Sequence, residues 1–317
     1  MEFSAATPEE RREYYRREWS PKQLPDFIVS SLREREFGFD HWGDGPRDRY
    51  NRFHSVQELE GFMRSRAPFA AYTSVSFYER PEKRQGWQGA ELVFDIDAKD
   101  LPVKGCGCPP GKVCEVCLEE AKEHLLLTRD VLRGDLGLKR LRYVYSGRGY
   151  HLRVFDEEVM GIDSSVRAMI LDYVSGGVLP GNTEWRLGGG YPGVFKERAL
   201  TILRRLSEDK LREMPGIGPK KAAELRKNLR KVANELEDGS FATAQRVLKN
   251  KGLETLLEGL RRHNSSLLDG KVTVDIKRIL RLPSSLHSAV SMKCMEVRNI
   301  EKFQPLRDAV PRFVEER

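Results

Sequence analysis

Residues 91–100, ELVFDIDAKD, set two carboxylates two positions apart inside an otherwise apolar run. Such a run reads as a β-strand, on which successive side chains point to opposite faces. Leu92, Phe94, Ile96 and Ala98 then form one apolar face that belongs in a core, and residues 91, 93, 95 and 97 form the other. Asp95 and Asp97 stand side by side, with Cα atoms roughly 6.6–7 Å apart at about 3.3 Å rise per residue. Like charges at that range repel weakly in water and strongly in a cleft of low dielectric. A divalent cation removes the repulsion, and strand-end carboxylates suit Mg²⁺ or Mn²⁺ held together with substrate phosphates. Alone, the D-x-D is common and reads more readily as two solvated aspartates at a strand end. A third carboxylate selects the metal reading, and Asp275, in VTVDIKR, ends another short apolar run that reads as a strand.

The remaining pattern is α/β. Helices are expected over 8–20 and 28–36, a strand in AAYTSVSFYER, and a long helix from Leu118 ending near Gly134 or Gly137. Strands follow over 141–145 and 150–155, then a helix in SSVRAMILDYVSGG with a glycine stop. Residues 195–264 are dense in Leu, Lys, Arg and Glu and read as helical, and β character returns at 272–276. This predicts a catalytic unit of residues 1–199 and 265–317, with a cysteine-bearing loop at 103–120, interrupted by an all-helical insert over 200–264. No apolar run reaches the roughly 18 residues of a membrane helix, and the charged N-terminus lacks a signal-peptide core, so a cytoplasmic protein without membrane contact is expected. The net charge of +7 favours polyanionic partners.

Two further segments have the residue types that handle phosphate. In YSGRGYH, Ser146 and two glycines form a turn where backbone amides can approach an anion, Arg148 offers a planar fork and His151 a donor. The same residues suit an ordinary hairpin turn with exposed Arg and His. RLPSSLH adds Arg281 and His287 shortly after Asp275.

Four of the five cysteines, Cys106, Cys108, Cys114 and Cys117, fall within twelve residues as C-x-C and C-x-x-C around a Pro-Pro-Gly turn. That spacing can close tetrahedrally around structural Zn²⁺. Four thiolates leave no open position for catalysis. A zinc nucleobase deaminase also needs an upstream H-x-E, but His41 and His54 are followed by WG and SV. Cys294 stands apart and reads as a buried thiol. MPGIGPKKAAELRKNLRK, residues 214–231, resembles a helix-hairpin-helix motif, in which Gly216, Gly218, Lys220 and Lys221 contact a DNA backbone; a solvated helical face is the alternative.

Taken together, FDIDAKD, SGRGYH, VDIKR and RLPSSLH resemble, in order and spacing, the small catalytic subunit of archaeal and eukaryotic DNA primases over about residues 30–300. The resemblance implies an archaeo-eukaryotic primase catalytic fold with a zinc-binding lobe. It implies that Asp95, Asp97 and Asp275 hold two Mg²⁺ or Mn²⁺ ions, that Ser146, Arg148, His151, Arg281 and His287 hold a nucleoside triphosphate, and that Cys106, Cys108, Cys114 and Cys117 bind zinc. REFGF and YNR match a segment near the initiating nucleotide, which would involve Glu36, Tyr50 and Arg52. The helix-hairpin-helix stretch is not a general motif of the family. The implied activity is template-directed primer synthesis on single-stranded DNA in replication, at the nucleoid. The implied partner is a large subunit that supplies an iron–sulfur cluster, for which this chain lacks spare cysteines. A related polymerase acting in end joining or on plasmids would share the same residues. A non-catalytic zinc-containing nucleic-acid-binding module would leave the aspartates unexplained.

Overall fold

The alternation in residues 92–97 is borne out as the strand that organises the molecule. Leu92, Phe94 and Ile96, with Ala98, are fully buried in the main core. Burying each such large side chain is worth roughly 1.5–3 kcal/mol. On the other face Val93 lies in a second, small core with Val75, Ala90, Val272 and Leu280, while Asp95 and Asp97 keep partial access to solvent. The computed structural model describes residues 4–109, 111–181, 184–186 and 189–316.

Two antiparallel four-stranded sheets and a hairpin account for the strands. The first sheet is built from β1 (Phe37–Asp40), β2 (Asp48–Asn51), β3 (Ala70–Ser74) and, far along the chain, Ile279–Arg281, in the order β2-β1-β3 and then that late strand. The hairpin pairs β4 (Ser76–Arg80) with β5 (Gln85–Ala90). The second sheet joins β6 (Leu92–Asp97), β7 (Leu141–Tyr145) and β8 (Gly149–Val154) to the late strand β10 (Met295–Val297), in the order β10-β7-β8-β6; Ile279–Arg281 is β9. Residues 70–80, read as one strand, divide at Val75. Its N–H donates to the Arg278 carbonyl at 3.0 Å and its carbonyl accepts from Glu91 N at 3.0 Å, so the chain crosses here between the sheets.

The helices are α1 (Pro8–Glu13), α2 (Asp26–Val29), α3 (Val56–Arg66), α4 (Glu115–Gly134), α5 (Glu157–Met160) and α6 (Ser164–Ser175). There follow α7 (Gly190–Arg205), α8 (Glu208–Arg212), α9 (Pro219–Lys227), α10 (Leu229–Glu237), α11 (Ala242–Ser265) and α12 (Gly270–Val274). Helix α4 covers β6 and β8, and α6 stops at Gly176 in the left-handed region, φ +66°. Residues 28–36 are not one helix but α2 and a single turn at Leu32–Glu34. The chain must turn there to place Arg35, fully buried, against Glu91. Glu91 also pairs with Arg153 at 2.9 Å, and Arg167 donates to the Glu91 and Ala90 carbonyls, both at 2.8 Å. Removing one partner of such a buried set costs about 3–5 kcal/mol, so it fixes where β6 begins.

The β character expected at 272–276 is a misreading. Residues 270–274 form α12, capped by the Asp269 side chain, which accepts from Lys271 N at 2.9 Å. Val272 and Thr273 are buried against α6 and β6, and this packing overrides the strand preference of β-branched residues. Helix α7 begins ten residues before the expected insert and belongs to both parts. Its buried Arg198 donates to the His124 carbonyl at 3.0 Å and to Thr128 Oγ1 at 2.6 Å, both on α4, and the helix also packs on α6, α10 and α11. Among the described residues, no helix is long and apolar enough to cross a membrane.

Candidate active site

The two sheets meet at a cleft of about 450 Å³. Strand β6 delivers Asp95 and Asp97 to it, and the neighbouring strand β8 places His151 directly across from Asp95 and Gly149 across from Asp97. His151 Nε2 lies 3.4 Å from Asp95 Oδ1. Arg148 grips Asp97 with both arms of its fork, Nε to Oδ1 at 3.2 Å and a terminal nitrogen to Oδ2 at 2.8 Å. Ser146, Lys99, Arg278, Arg281 and His287 complete the polar wall.

The glycines of SGRGYH serve packing. A Cβ on Gly147, at φ +101°, would lie 2.3 Å from His287 Cβ, and one on Gly149 would lie 2.2 Å from the Ile96 carbonyl oxygen. Only glycine lets the 145–149 turn press against both β6 and His287, which is how Arg148, His151 and His287 come to share one wall.

Asp100 and Asp269 also line the cleft, and Asp275 does not. Asp269 and Asp275 cap opposite ends of α12. Asp269 N donates to the Asp95 carbonyl at 3.0 Å, and Asp269 lines the cleft. Both aspartates are exposed, and Asp275, outside the lining, holds the amide of Lys277 at 2.9 Å as Asp269 holds that of Lys271. Because 270–274 is helical, the side chain that meets β6 is the one before the VTV run rather than the one after it. The sequence signal for Asp269 is an N-cap signal, an Asp just ahead of a short helix, and not a metal motif.

Electrostatics mark the same spot. Burial first, then Asp97 and Asp269, push the Asp95 carboxyl up to about 7. His151 and His287 are both held well below the usual imidazole range, by burial first and then by surrounding arginines, so both rings are neutral at neutral pH. His151 Nδ1 is buried without a hydrogen-bond partner. Four acidic groups around one cleft, Asp95, Asp97, Asp100 and Asp269, with arginines on its rim fit a divalent cation beside a polyphosphate.

The expected initiating-nucleotide residues form a neighbouring group outside the cleft lining. Glu36 is fully buried, accepting from Arg49 Nε and Arg84 Nε at 2.6 Å each. Both arginines also lie over the ring of exposed Tyr50, at 5.7 and 5.1 Å, and Arg52 sits 3.6 Å from Glu82. The group adjoins the cleft across Gly38, where a Cβ would meet Arg49 Cδ at 2.9 Å and Ile279 Cδ1 at 3.1 Å. Arg49 and Arg84 are partners that motif reading missed, since nothing in the sequence ties them to Glu36.

Beyond the cleft, Cys106, Cys108, Cys114 and Cys117 place their sulfurs all within 4.8 Å of one another. A tetrahedron with Zn–S of about 2.3 Å has edges of about 3.8 Å, so this set fits a single zinc ion. Cys117 lies on the first turn of α4 and ties the loop to the helix that covers β6.

Residues 94–299 match the family model described as DNA primase small subunit. The chain belongs to the DNA primase small subunit family. It is 50% identical to the DNA primase small subunit PriS of Methanothermobacter thermautotrophicus over 99% of this chain and 98% of that one. It is 46% identical to the Methanobrevibacter smithii subunit over 99% of both, and 45% identical to the Thermococcus kodakarensis subunit over 98% and 93%. Among solved structures, the polymerase domain of Mycobacterium tuberculosis ligase D in complex with DNA aligns with 53% of this chain at 18% identity and a TM-score of 0.35, too distant to carry an argument. For a primase small subunit the cleft supplies an acidic centre and a cationic wall in one place.

Proposed function

We propose that this cleft is where the chain, as the catalytic subunit of a DNA primase, joins nucleotides into primers on a single-stranded DNA template. The observation that carries this reading is the meeting of Asp95, Asp97 and Asp269, from two distant segments, opposite Arg148, Arg278, Arg281 and two neutral histidines. Asp95, Asp97 and Asp269 would hold Mg²⁺ or Mn²⁺, which when bound makes an attacking hydroxyl more acidic and neutralises charge on the leaving group. Arg148 and Arg281 grip the triphosphate and His151 and His287 donate to its oxygens, setting the α-phosphorus in line with the attacking 3′-oxygen. The new P–O bond forms as the bond to pyrophosphate breaks. Arg148 moves from Asp97 to the incoming phosphates, which frees the carboxylate for the cation. Ser146 lies on the same wall as a further phosphate contact.

Glu36, Tyr50 and Arg52, joined by Arg49 and Arg84, would receive the initiating nucleotide. In this reading Glu36 orients arginines, and the exposed Tyr50 ring meets the base. Zinc at the four cysteines orders residues 103–120 and takes no part in the chemistry. A large subunit with its own iron–sulfur cluster would complete the enzyme. The test is unprimed synthesis on a single-stranded template with ribo- and deoxynucleotides in turn, by this chain alone and then with the large subunit. Template-dependent products support the reading; no incorporation in any combination refutes it.

A further inference from the structure

We propose that one face of the helical lobe, formed by α9, the start of α10 and the middle of α11, grips a nucleic-acid phosphate backbone apart from the catalytic cleft. Residues 219–251 have nine Lys or Arg against four Asp or Glu, which is five of the chain's seven net positive charges. The packing gathers these charges. Lys221 Nζ donates to the Leu248 carbonyl at 3.4 Å, which sets the start of α9 beside Lys249. Glu235 accepts from Thr243 N at 2.7 Å and Thr243 Oγ1 at 2.6 Å, closing α10 onto α11 and bringing Lys231 and Arg246 to one carboxylate. Lys220, Arg226, Lys227, Arg230, Lys231, Arg246 and Lys249 are exposed.

The ion pairs of the lobe lie elsewhere: Lys210–Glu213, Arg212–Glu208, Arg204–Glu237 and the Glu258 pairs with Arg261 and Arg262. Among the described residues, none of the seven exposed cations has a carboxylate partner within ion-pair distance. Lys249 adopts φ +64° and ψ 178°, a backbone state ordinarily left to glycine, so α11 is broken at one of these lysines. The turn before α9 is also open, with no atom near a Cβ placed on Gly216 or Gly218.

The residue types choose the partner. A protein interface has an apolar centre and is poor in lysine. This face has no large exposed apolar side chain, and its cations outnumber its acids without forming ion pairs. No exposed aromatic ring is present to stack on bases, so the contact is with phosphates and is independent of sequence. Template strand and primer–template duplex share that chemistry.

The experiment compares full-length wild type with K227Q/R230Q/K231Q/K249Q, measuring affinity for a single strand and for a duplex over a salt series. All four positions are exposed, and circular dichroism checks the fold. If the four residues bind phosphates, the slope of log K against log salt shrinks by about 3.6 on duplex and about 2.8 on single strand. Loss on one ligand only assigns the grip to that form and supports the proposal. A control, K210Q/R212Q/R261Q/R262Q, removes four cations that are already paired and should keep the wild-type slope. Unchanged slopes on both ligands for the first variant, or an equal loss in the control, overturn the proposal.

Discussion

Replacing Asp95 with Asn tests whether Asp97 and Asp269 crowd its carboxylate. The Asp95 carboxyl is raised from 3.8 to about 7, by burial first and by Asp97 and Asp269 next. At about 1.36 kcal/mol per pH decade, a rise of that size corresponds to about 4 kcal/mol. The folded protein binds this proton more tightly than the unfolded chain does. Its stability therefore falls as pH climbs from about 4 to about 7 and stays lower above that range. Asp95→Asn removes the charge at nearly constant shape. The Asp95 side chain keeps 19% of its surface in water and the variant weakens the contact to His151, so about half the full effect is expected, roughly 2 kcal/mol at pH 8. The assay is chemical denaturation in the presence of a chelator at pH 5 and pH 8. The variant should be more stable than wild type at pH 8, and by a smaller margin at pH 5. Equal or lower stability at pH 8, or a margin independent of pH, would mean that Asp95 is not crowded by its acidic neighbours.

Gly147→Ala should destabilise the fold by roughly 1–3 kcal/mol and displace His287, because the new methyl overlaps His287 Cβ at 2.3 Å. Gly161→Ala, with nothing within 4 Å of the added methyl, should stay within about 0.5 kcal/mol in the same melting experiment. Elemental analysis of the purified chain should find about one zinc per molecule, and Cys106→Ser or prolonged chelation should lower the melting temperature. A zinc-free preparation that melts like the loaded one would reject the structural role of the cysteines.

What could be read from the sequence were features fixed by short-range periodicity. The faces of β6, the hairpin that presents Arg148 and His151, the glycine stop of α6 and the cysteine spacing all depend on residues a few positions apart. The misreadings have one cause. VTVDIKR looks like a strand by composition, yet a five-residue helix forms because Val272 and Thr273 pack against β6 and α6. That choice decides which aspartate reaches the cleft. Nothing in the sequence ties Glu36 to a partner, and only the fold brings Arg49 and Arg84 onto it, thirteen and forty-eight residues away. Long-range pairing of charge leaves no local signature. The early start of α7 has the same origin, since Arg198 is buried by α4 and α6 rather than by the insert.

Asp269 lines one cleft with Asp95 and Asp97, and the proposed catalytic centre takes all three as cation ligands. The most direct measurement is primer synthesis by Asp269→Asn beside Asp275→Asn, each folded as wild type by circular dichroism. Losing a carboxylate from the metal-holding set should cost several kcal/mol of transition-state stabilisation, so Asp269→Asn should fall by about a hundredfold or more. Asp275→Asn should stay within about tenfold of wild type, since its carboxylate lies outside the cleft lining and caps the Lys277 amide. The reverse order, with Asp269→Asn active and Asp275→Asn dead, would contradict the account.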